Sequence, residues 1–490
     1  MNILLWDTRQ LDVSKDFAGG FGIGMYRGLG GPRDAIVRWF YRRDRRPAAL
    51  LFAHLAAVFA RLGHGVKYVV DRPPRGADLY VFNPSLITLE LERRVIVQLL
   101  AEEPQARVLV VGTTASTLPQ EFADLGVTVV QGEAEQLLWR LDEVLEYGGA
   151  KASLGVIEDL DRLPLPDWSP LNPARFRIGY DFWRFPTALV QASRGCRFKC
   201  NYCPYLVLDN ATRFRDPEAV VDEIRQGIRR WGFQSFKFRD PLFGLSRERT
   251  FRIIEGIGQL PKNIQFSIES RIELLPPETL RMMKRVGLTS VTVGIETPND
   301  PTLQNYRRQT IDKDRQHAFI ANCRELGIRT VAGFMIGFPE DTERSIRSVR
   351  NYAMALGPTF ANFNVVTPYP GTPFFEQMRD RLAEIDYSRF NVYTPMLKYD
   401  HLTPERIEWL LAKCFRRYYF RWQYLRENAG LLWPVLRRFR LGGKAGSQPP
   451  ADSPGGDVPK PSAGLQILDG KGLRTDGPHR RGCVPEQIGR

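Results

Sequence analysis

The chain has 490 residues, 43% of them hydrophobic, which predicts two to four domains with substantial cores, and its formal charge of +14 asks for an anionic partner or surface. The longest apolar run, Ala48 to Ala60, is interrupted by His54 and is too short to span a bilayer, and Met1–Asp7 reads as a first strand rather than a signal peptide. Six cysteines include three within eight residues, while Cys323, Cys414 and Cys483 are scattered, so no disulfide framework is implied and a reducing, cytoplasmic setting is expected.

Residues 1–148 alternate strand-like and helix-like segments. Ile3–Trp6, Val66–Val70, Leu79–Phe82, Val108–Val111 and Val127–Val130 are short apolar runs, and Ala48–Leu62, Glu90–Leu100 and Glu135–Leu145 have helical spacing. That pattern predicts a doubly wound, Rossmann-like α/β domain. The stretch Gly19–Gly24 misses the dinucleotide fingerprint because Met25 stands at the third glycine position, and it reads as a flexible loop. Residues 149–185, with Pro164, Pro166, Asp167, Pro170 and Pro173, read as a linker.

Over 186–385 the pattern becomes strand–helix units, with strands at Ala188–Ala192, Ser235–Phe238, Gln265–Ile268, Ser290–Gly294, Thr330–Ile336 and Asn362–Val366. Parallel units with short connections predict a partial (β/α)6 barrel. A helical extension follows at 386–441. Its main helix spans 403–428, capped by Thr403, with Pro404 in the first turn and Ile407, Leu410, Leu411, Cys414, Tyr418 and Leu425 as its apolar stripe. The rest, 442–490, is rich in Gly, Pro, Ser and charge and is expected to be disordered. Two aromatic-basic clusters, Arg38–Arg46 and Lys413–Arg440, carry much of the positive charge.

The chemistry concentrates in Ser193-Arg194-Gly195-Cys196-Arg197-Phe198-Lys199-Cys200-Asn201-Tyr202-Cys203. Three thiolates this close can hold one metal centre and leave it one ligand short of closure. A Cys3His zinc site would need a nearby histidine, and His54, His64, His317, His401 and His479 are all distant in sequence. The ends of the predicted barrel strands, where parallel barrels place their chemistry, carry Asp240, Glu269, Ser270, Arg271, Glu296, Gly337, Glu340, Thr367 and Tyr369. Charged groups at so many consecutive ends are poor barrel fillers and favour a site, with Asp240 and Tyr369 on its substrate side.

The C-x3-C-x2-C spacing, with an aromatic before the last cysteine, resembles the signature of the radical S-adenosylmethionine (SAM) superfamily. The resemblance implies a [4Fe–4S] cluster on Cys196, Cys200 and Cys203, with SAM chelating the open iron and being cleaved by one-electron reduction. It further implies that Glu296, in Gly294-Ile295-Glu296-Thr297, contacts the SAM ribose or amino group, and that Arg271, beside Ser270, meets the methionine carboxylate. Gly337, within Gly333–Thr342, and Tyr202 would lie against adenine. No second cysteine triad is present for an auxiliary cluster.

Residues 1–148 resemble the cobalamin-binding domain that precedes many radical SAM domains, through Val111-Gly112-Thr113-Thr114-Ala115 and Val130-Gln131-Gly132-Glu133-Ala134-Glu135. The sequence has no Asp-x-His-x-x-Gly, so it nominates no lower axial histidine, and cobalamin binding stays open at this point. If cobalamin binds, the resemblance implies a methyltransferase acting on an unactivated carbon; if not, rearrangement, cyclisation or C–C bond formation. The aromatic-basic helix, with Trp409, Phe415, Tyr419, Trp422 and flanking arginines, and the segment Leu431–Arg438 suggest peripheral contact with the inner face of the membrane. They point to a small lipophilic substrate: a lipid, an isoprenoid or a tetrapyrrole. A one-electron reductant such as flavodoxin or ferredoxin is the expected protein partner. RNA modification is disfavoured because no RNA-binding module appears, and a bare iron–sulfur electron carrier because the strand ends suit SAM.

Overall fold

The computed structural model describes residues 1–42, 45–208, 211–382 and 385–429, the side chains at 39–42, 45 and 46 excepted. The expected tail at 442–490, Leu431–Arg438, Cys483 and most of the Arg38–Arg46 cluster lie outside the described residues or side chains. The architecture is α/β, built on two six-stranded parallel sheets within one unit, Met1–Gly430.

The front sheet runs, edge to edge, Gly65–Val70, Asn2–Asp7, Leu79–Phe82, Arg107–Val110, Thr128–Gly132 and Lys151–Gly155. Its central strand, Leu-Tyr-Val-Phe, is buried at every position, as a parallel strand covered on both faces should be. Order reverses between Asn2–Asp7 and Leu79–Phe82, so the crevice for a ligand opens beyond Asp7 and Phe82. The sixth strand falls in the expected linker. Lys-Ala-Ser-Leu-Gly alternates in burial but has too few apolar residues to stand out, and pairing with Thr128–Gly132 creates it.

The second sheet takes its strands in chain order: Thr187–Val190, Ser235–Phe238, Gln265–Ser270, Leu288–Glu296, Arg329–Ile336 and Phe360–Val365. Amphipathic helices such as Pro217–Trp231, Pro277–Arg285 and Glu343–Leu356 return the chain between strands, forming the open barrel. Local chemistry fixes their ends: Asp216 caps one helix, Gly232 ends it in the left-handed region, and Thr342 with Ser345 forms a capping box.

The last long helix, Pro404–Tyr419, has Thr403 at its N-cap, but the helical pattern breaks at Phe420–Arg421 before a short helix, Trp422–Glu427. No Gly or Pro marks the break; tertiary bonds do. Tyr418 Oη donates to Pro358 O, Tyr424 Oη to Thr359 O at 3.0 Å and Tyr419 Oη to Ala361 O at 3.0 Å, pinning both pieces to the start of the sixth barrel strand and the two residues before it. The aromatic stripe expected at a membrane is therefore largely spent on the barrel: Phe415, Tyr418, Tyr419 and Tyr424 are buried, and Trp409 lies between Arg406 and Lys413. Trp422 stands out, 78% exposed. Among the described residues no helix is long and apolar enough to cross a membrane.

Candidate functional site

The three cysteines line one cavity of about 430 Å³ at the C-terminal ends of the barrel strands, together with Ser270, Arg271, Glu296 and Tyr369. Their loop starts from a two-residue antiparallel pairing, Ser193–Arg194 with Arg213–Phe214. It is held at Asn201, whose N–H donates to Tyr306 O at 3.0 Å and whose carbonyl accepts from Phe374 N at 3.2 Å. Cys196 and Cys200 are buried and Cys203 is half-buried. Among the described residues no three His, Cys, Asp or Glu side chains are gathered into a metal-binding set, and the three thiols line the one cavity close enough to act on one another electrostatically. Burial pushes the Cys203 thiol up to about 12 and raises that of Cys196.

Arg308 organises the adjoining wall. Its Nη1 lies 4.0 Å from Cys200 Sγ, Nη2 donates to Gly294 O at 2.9 Å, and Nη2 stands 3.4 Å from Glu296 Oε1. Burial raises the Glu296 carboxyl, with Arg308 and Arg271 opposing. Glu296 has φ +67°, beside a register shift between Gly294 and Glu296, so a non-glycine residue is held in the left-handed region where the fourth strand meets the cavity.

Arg271 is already engaged: it pairs with Glu273, donates to Gln309 O at 3.2 Å and lies 4.4 Å from the Phe198 ring centroid. Its Nη1 has no hydrogen-bond partner among the described residues. Ser270 Oγ donates to Phe243 O at 2.5 Å. Tyr202 and Tyr369 both line the cavity with hydroxyls that lack partners among the described residues, and the Tyr369 ring stacks on Phe21 at 5.2 Å.

Two expected site residues are placed elsewhere. Asp240 is not among the cavity-lining residues; it accepts from Ser193 Oγ at 2.5 Å and Ala192 N at 3.0 Å, tying the first strand's end to the second's. Gly337 is also outside the cavity lining. Its φ of +77° serves a turn in which its N–H donates to Asp341 Oδ2 at 2.8 Å.

The cavity also contains residues the sequence left unassigned. Lys237 pairs with Asp181 at 2.9 Å, and Arg239 with Glu269 at 2.6 Å, two buried cations from Ser-Phe-Lys-Phe-Arg. Cations alternating with phenylalanine in a barrel strand are the signal that could have revealed them. Gly294 and Gly333 sit side by side on the fourth and fifth strands; a Cβ on Gly294 would meet Glu296 Oε1 at 2.3 Å, whereas one on Gly333 would meet nothing nearer than 3.8 Å. The glycine-rich segment near residue 20, expected to be a flexible loop, is packed: Thr113 Oγ1 donates to Gly19 O at 2.6 Å, and Phe21 is fully buried. A Cβ on Gly20 would meet Thr113 Oγ1 at 2.3 Å, and one on Gly19 would meet Pro204 O at 3.0 Å. Phe17 and Ala18 thereby close one side of the cysteine cavity.

The front sheet's C-terminal edge carries two further cavities, of about 340 and about 190 Å³, sharing Lys15, Asp16, Leu51 and Asn83. Between this edge and the cysteine loop lies a buried ion network: Arg194 with Glu133 (3.2 Å) and Glu135 (2.7 Å), and Arg213 with Glu133 (2.8 Å).

Residues 190–353, the stretch of the open parallel barrel that carries the cysteine triad, match the radical SAM superfamily. Members of this superfamily use SAM and a [4Fe–4S] cluster. The chain is 28% identical over 317 residues to the anaerobic magnesium-protoporphyrin IX monomethyl ester cyclase of Cereibacter sphaeroides, covering 60% of this chain and 51% of that protein. It is 24% identical over 311 residues to the bacteriochlorophyllide d C-12(1)-methyltransferase of Chlorobaculum tepidum, covering 62% and 67%. With the hopanoid C-3 methylase of Methylococcus capsulatus the identity is 26% over 311 residues, covering 60% and 59%. The chain thus spans about half the length of the cyclase it matches. Among solved structures, the cobalamin-dependent SAM radical enzyme OxsB shares the fold at TM-score 0.61 with 11% identity, over 90% of this chain and 68% of that one. The radical SAM methyltransferase TsrM from Kitasatospora setae does so at TM-score 0.57 with 15% identity, over 77% and 76%.

Proposed function

We propose that this enzyme cleaves SAM reductively at a [4Fe–4S] cluster held by Cys196, Cys200 and Cys203 and modifies an unactivated carbon of a small lipophilic molecule, by methylation when a corrinoid occupies the front-sheet edge. The observation that carries this reading is the single cavity shared by the cysteines, Arg271, Glu296 and Tyr369, with mostly apolar walls. The donor set fits the cluster: three thiols and no fourth cysteine in the loop, which leaves an iron open to SAM. When bound, cluster and SAM supply one-electron chemistry that protein side chains cannot perform.

The chain's own residues prepare the place. The thiols must deprotonate to ligate iron, and the Arg308 guanidinium stands 4.0 Å from Cys200 Sγ. Glu296 and the free Nη1 of Arg271 suit the ammonium and carboxylate ends of a methionine moiety. The wall at Gly333, where a Cβ would meet nothing nearer than 3.8 Å, allows a flat ring close approach. Phe17, Ala18 and Tyr369 exclude water from a reactive carbon. An aromatic-rich wall matches a lipid, isoprenoid or tetrapyrrole, the chemistry named for the hopanoid and protoporphyrin relatives. A small one-electron donor such as flavodoxin or ferredoxin would supply the electron.

A second reading, cyclisation or C–C bond formation without a corrinoid, draws on the tight packing of Gly19 and Gly20 between Pro204 and Thr113. Anaerobic protein reduced with SAM and offered tetrapyrrole or polyisoprenoid lipids distinguishes the two. 5′-Deoxyadenosine together with S-adenosylhomocysteine supports methylation, and 5′-deoxyadenosine alone supports the second reading. Neither nucleoside with a fully loaded cluster would sink both.

A further inference from the structure

Arg197 and Lys199 stand between the first two cysteines, and both side chains are exposed. Arg307 is exposed beside them, on the segment whose Tyr306 O accepts from Asn201 N at 3.0 Å. The next residue, Arg308, turns inward to within 4.0 Å of Cys200 Sγ. Arg197, Lys199 and Arg307 pair with no carboxylate among the described residues. Neither 193–208 nor 301–310 contains an aspartate or glutamate, in a chain with 55 of them, so the solvent side of the cysteine loop is cationic. Like charges gathered around one loop repel, a cost that an anionic partner relieves.

The wall under this patch is thin. Arg197 lies over the Phe198 ring, 5.4 Å from its centroid, and the same ring lies 4.4 Å from Arg271. Phe198 and Arg271 both line the cysteine cavity, and Arg271 is buried. One aromatic ring therefore separates an exposed guanidinium from the chamber that the three thiols line. An electron can be delivered across so thin a wall without opening the cavity to bulk water, which a reactive carbon would not survive.

We propose that Arg197, Lys199 and Arg307 form the docking surface for a small acidic protein that donates one electron. The proposal rests on the reading that the three cysteines hold the cluster. One electron passes from the donor's reduced centre to the cluster; the donor is left oxidised by one electron, and no bond forms or breaks. Electron-transfer encounters bury little area, below about 1,200 Å² in total, and charge complementarity sets their rate more than contact area does. Three cations around a half-buried ring suit an encounter of that size.

The test uses the full chain, loaded anaerobically with iron and sulfide, and a dye-labelled flavodoxin as the acidic donor. Fluorescence anisotropy reads binding; 5′-deoxyadenosine formation from SAM is measured with reduced flavodoxin and, separately, with dithionite, which needs no docking surface. Wild-type binding should weaken as salt is raised. In the double variant Arg197→Glu/Lys199→Glu, and in Arg307→Glu, binding and the flavodoxin-driven rate should each fall by about tenfold or more. Dithionite-driven cleavage and iron content should hold, and Arg197→Lys/Lys199→Arg should bind like wild type. If the double variant loses iron, Arg307→Glu, which lies outside the cysteine loop, decides alone. Flavodoxin binding and flavodoxin-driven cleavage that charge reversal leaves unchanged would overturn the proposal, as would wild-type binding that is absent or insensitive to salt. Loaded wild type that yields no 5′-deoxyadenosine even with dithionite overturns the cluster reading and the proposal with it. Failure of the docking surface alone shows instead as intact dithionite-driven cleavage with no effect of charge.

Discussion

Arg194 Nη2 lies 2.7 Å from Glu135 Oε1, joining the loop after the front sheet's fifth strand to the residue two before Cys196. Glu133 extends the contact to Arg213, which pairs in register with Arg194 on the facing strand. The segment that begins the cysteine loop is thus positioned partly by the front sheet.

Glu135→Ala should leave the Arg194 guanidinium, 13% exposed, with Glu133, at 3.2 Å, as its one remaining carboxylate partner among the described residues. Leaving a buried charge wholly unpaired costs about 3–5 kcal/mol, and keeping Glu133 holds the loss below that range. Thermal unfolding should shift down by several degrees and iron retention after gel filtration should drop. A wild-type melting curve with full iron would show that the contact bears no load.

Replacing Cys196 or Cys203 by Ala should abolish iron loading and 5′-deoxyadenosine formation while leaving the far-ultraviolet circular dichroism unchanged. Iron bound at wild-type stoichiometry in either variant would contradict the assignment.

Tyr369→Phe removes a buried hydroxyl with no partner among the described residues. Since leaving such a group unsatisfied costs about 1–3 kcal/mol, stability should hold or rise slightly. Substrate-dependent product should fall while substrate-free SAM cleavage persists. Unchanged coupling between cleavage and product would reduce Tyr369 to packing against Phe21.

Asp240 should shape the acid side of the stability curve. Burial raises its carboxyl from the ordinary 3.8 to about 6, with Ser193 and Ala192 opposing. The folded state then binds more protons than the unfolded chain between those values. Its contribution is fully present below pH 3.8 and is lost as pH rises through about 6. Asp240→Asn should flatten the fall of melting temperature between roughly pH 4 and 6. A slope identical to wild type would place the titration elsewhere.

Much of this was legible in sequence. Apolar runs such as Leu79–Phe82 and Ser235–Phe238 report burial directly, and the cysteine spacing names its own chemistry. The failures have physical causes. Lys151–Gly155 becomes a strand only through its neighbour, and the break at Phe420 comes from tyrosine hydroxyls reaching the start of the sixth barrel strand and the two residues before it. Asp240 and Gly337 sit at the expected strand ends, but periodicity does not tell whether such a side chain faces the cavity or holds the next loop.

Arg416, on the last long helix, donates to Asp34 at 2.9 and 2.7 Å and to Gly30 O at 3.0 Å, and Asp34 is fully buried. The partners are 382 residues apart. At about 5–20 residues per second a ribosome needs roughly 20–80 s to deliver the second after the first. The front sheet can pair its strands long before then, but the Asp34 carboxylate must wait for the end of the barrel to be made before Arg416 reaches it. Docking of the last long helix against Gly30 and Asp34 is therefore a late event of synthesis, after both sheets have had time to form.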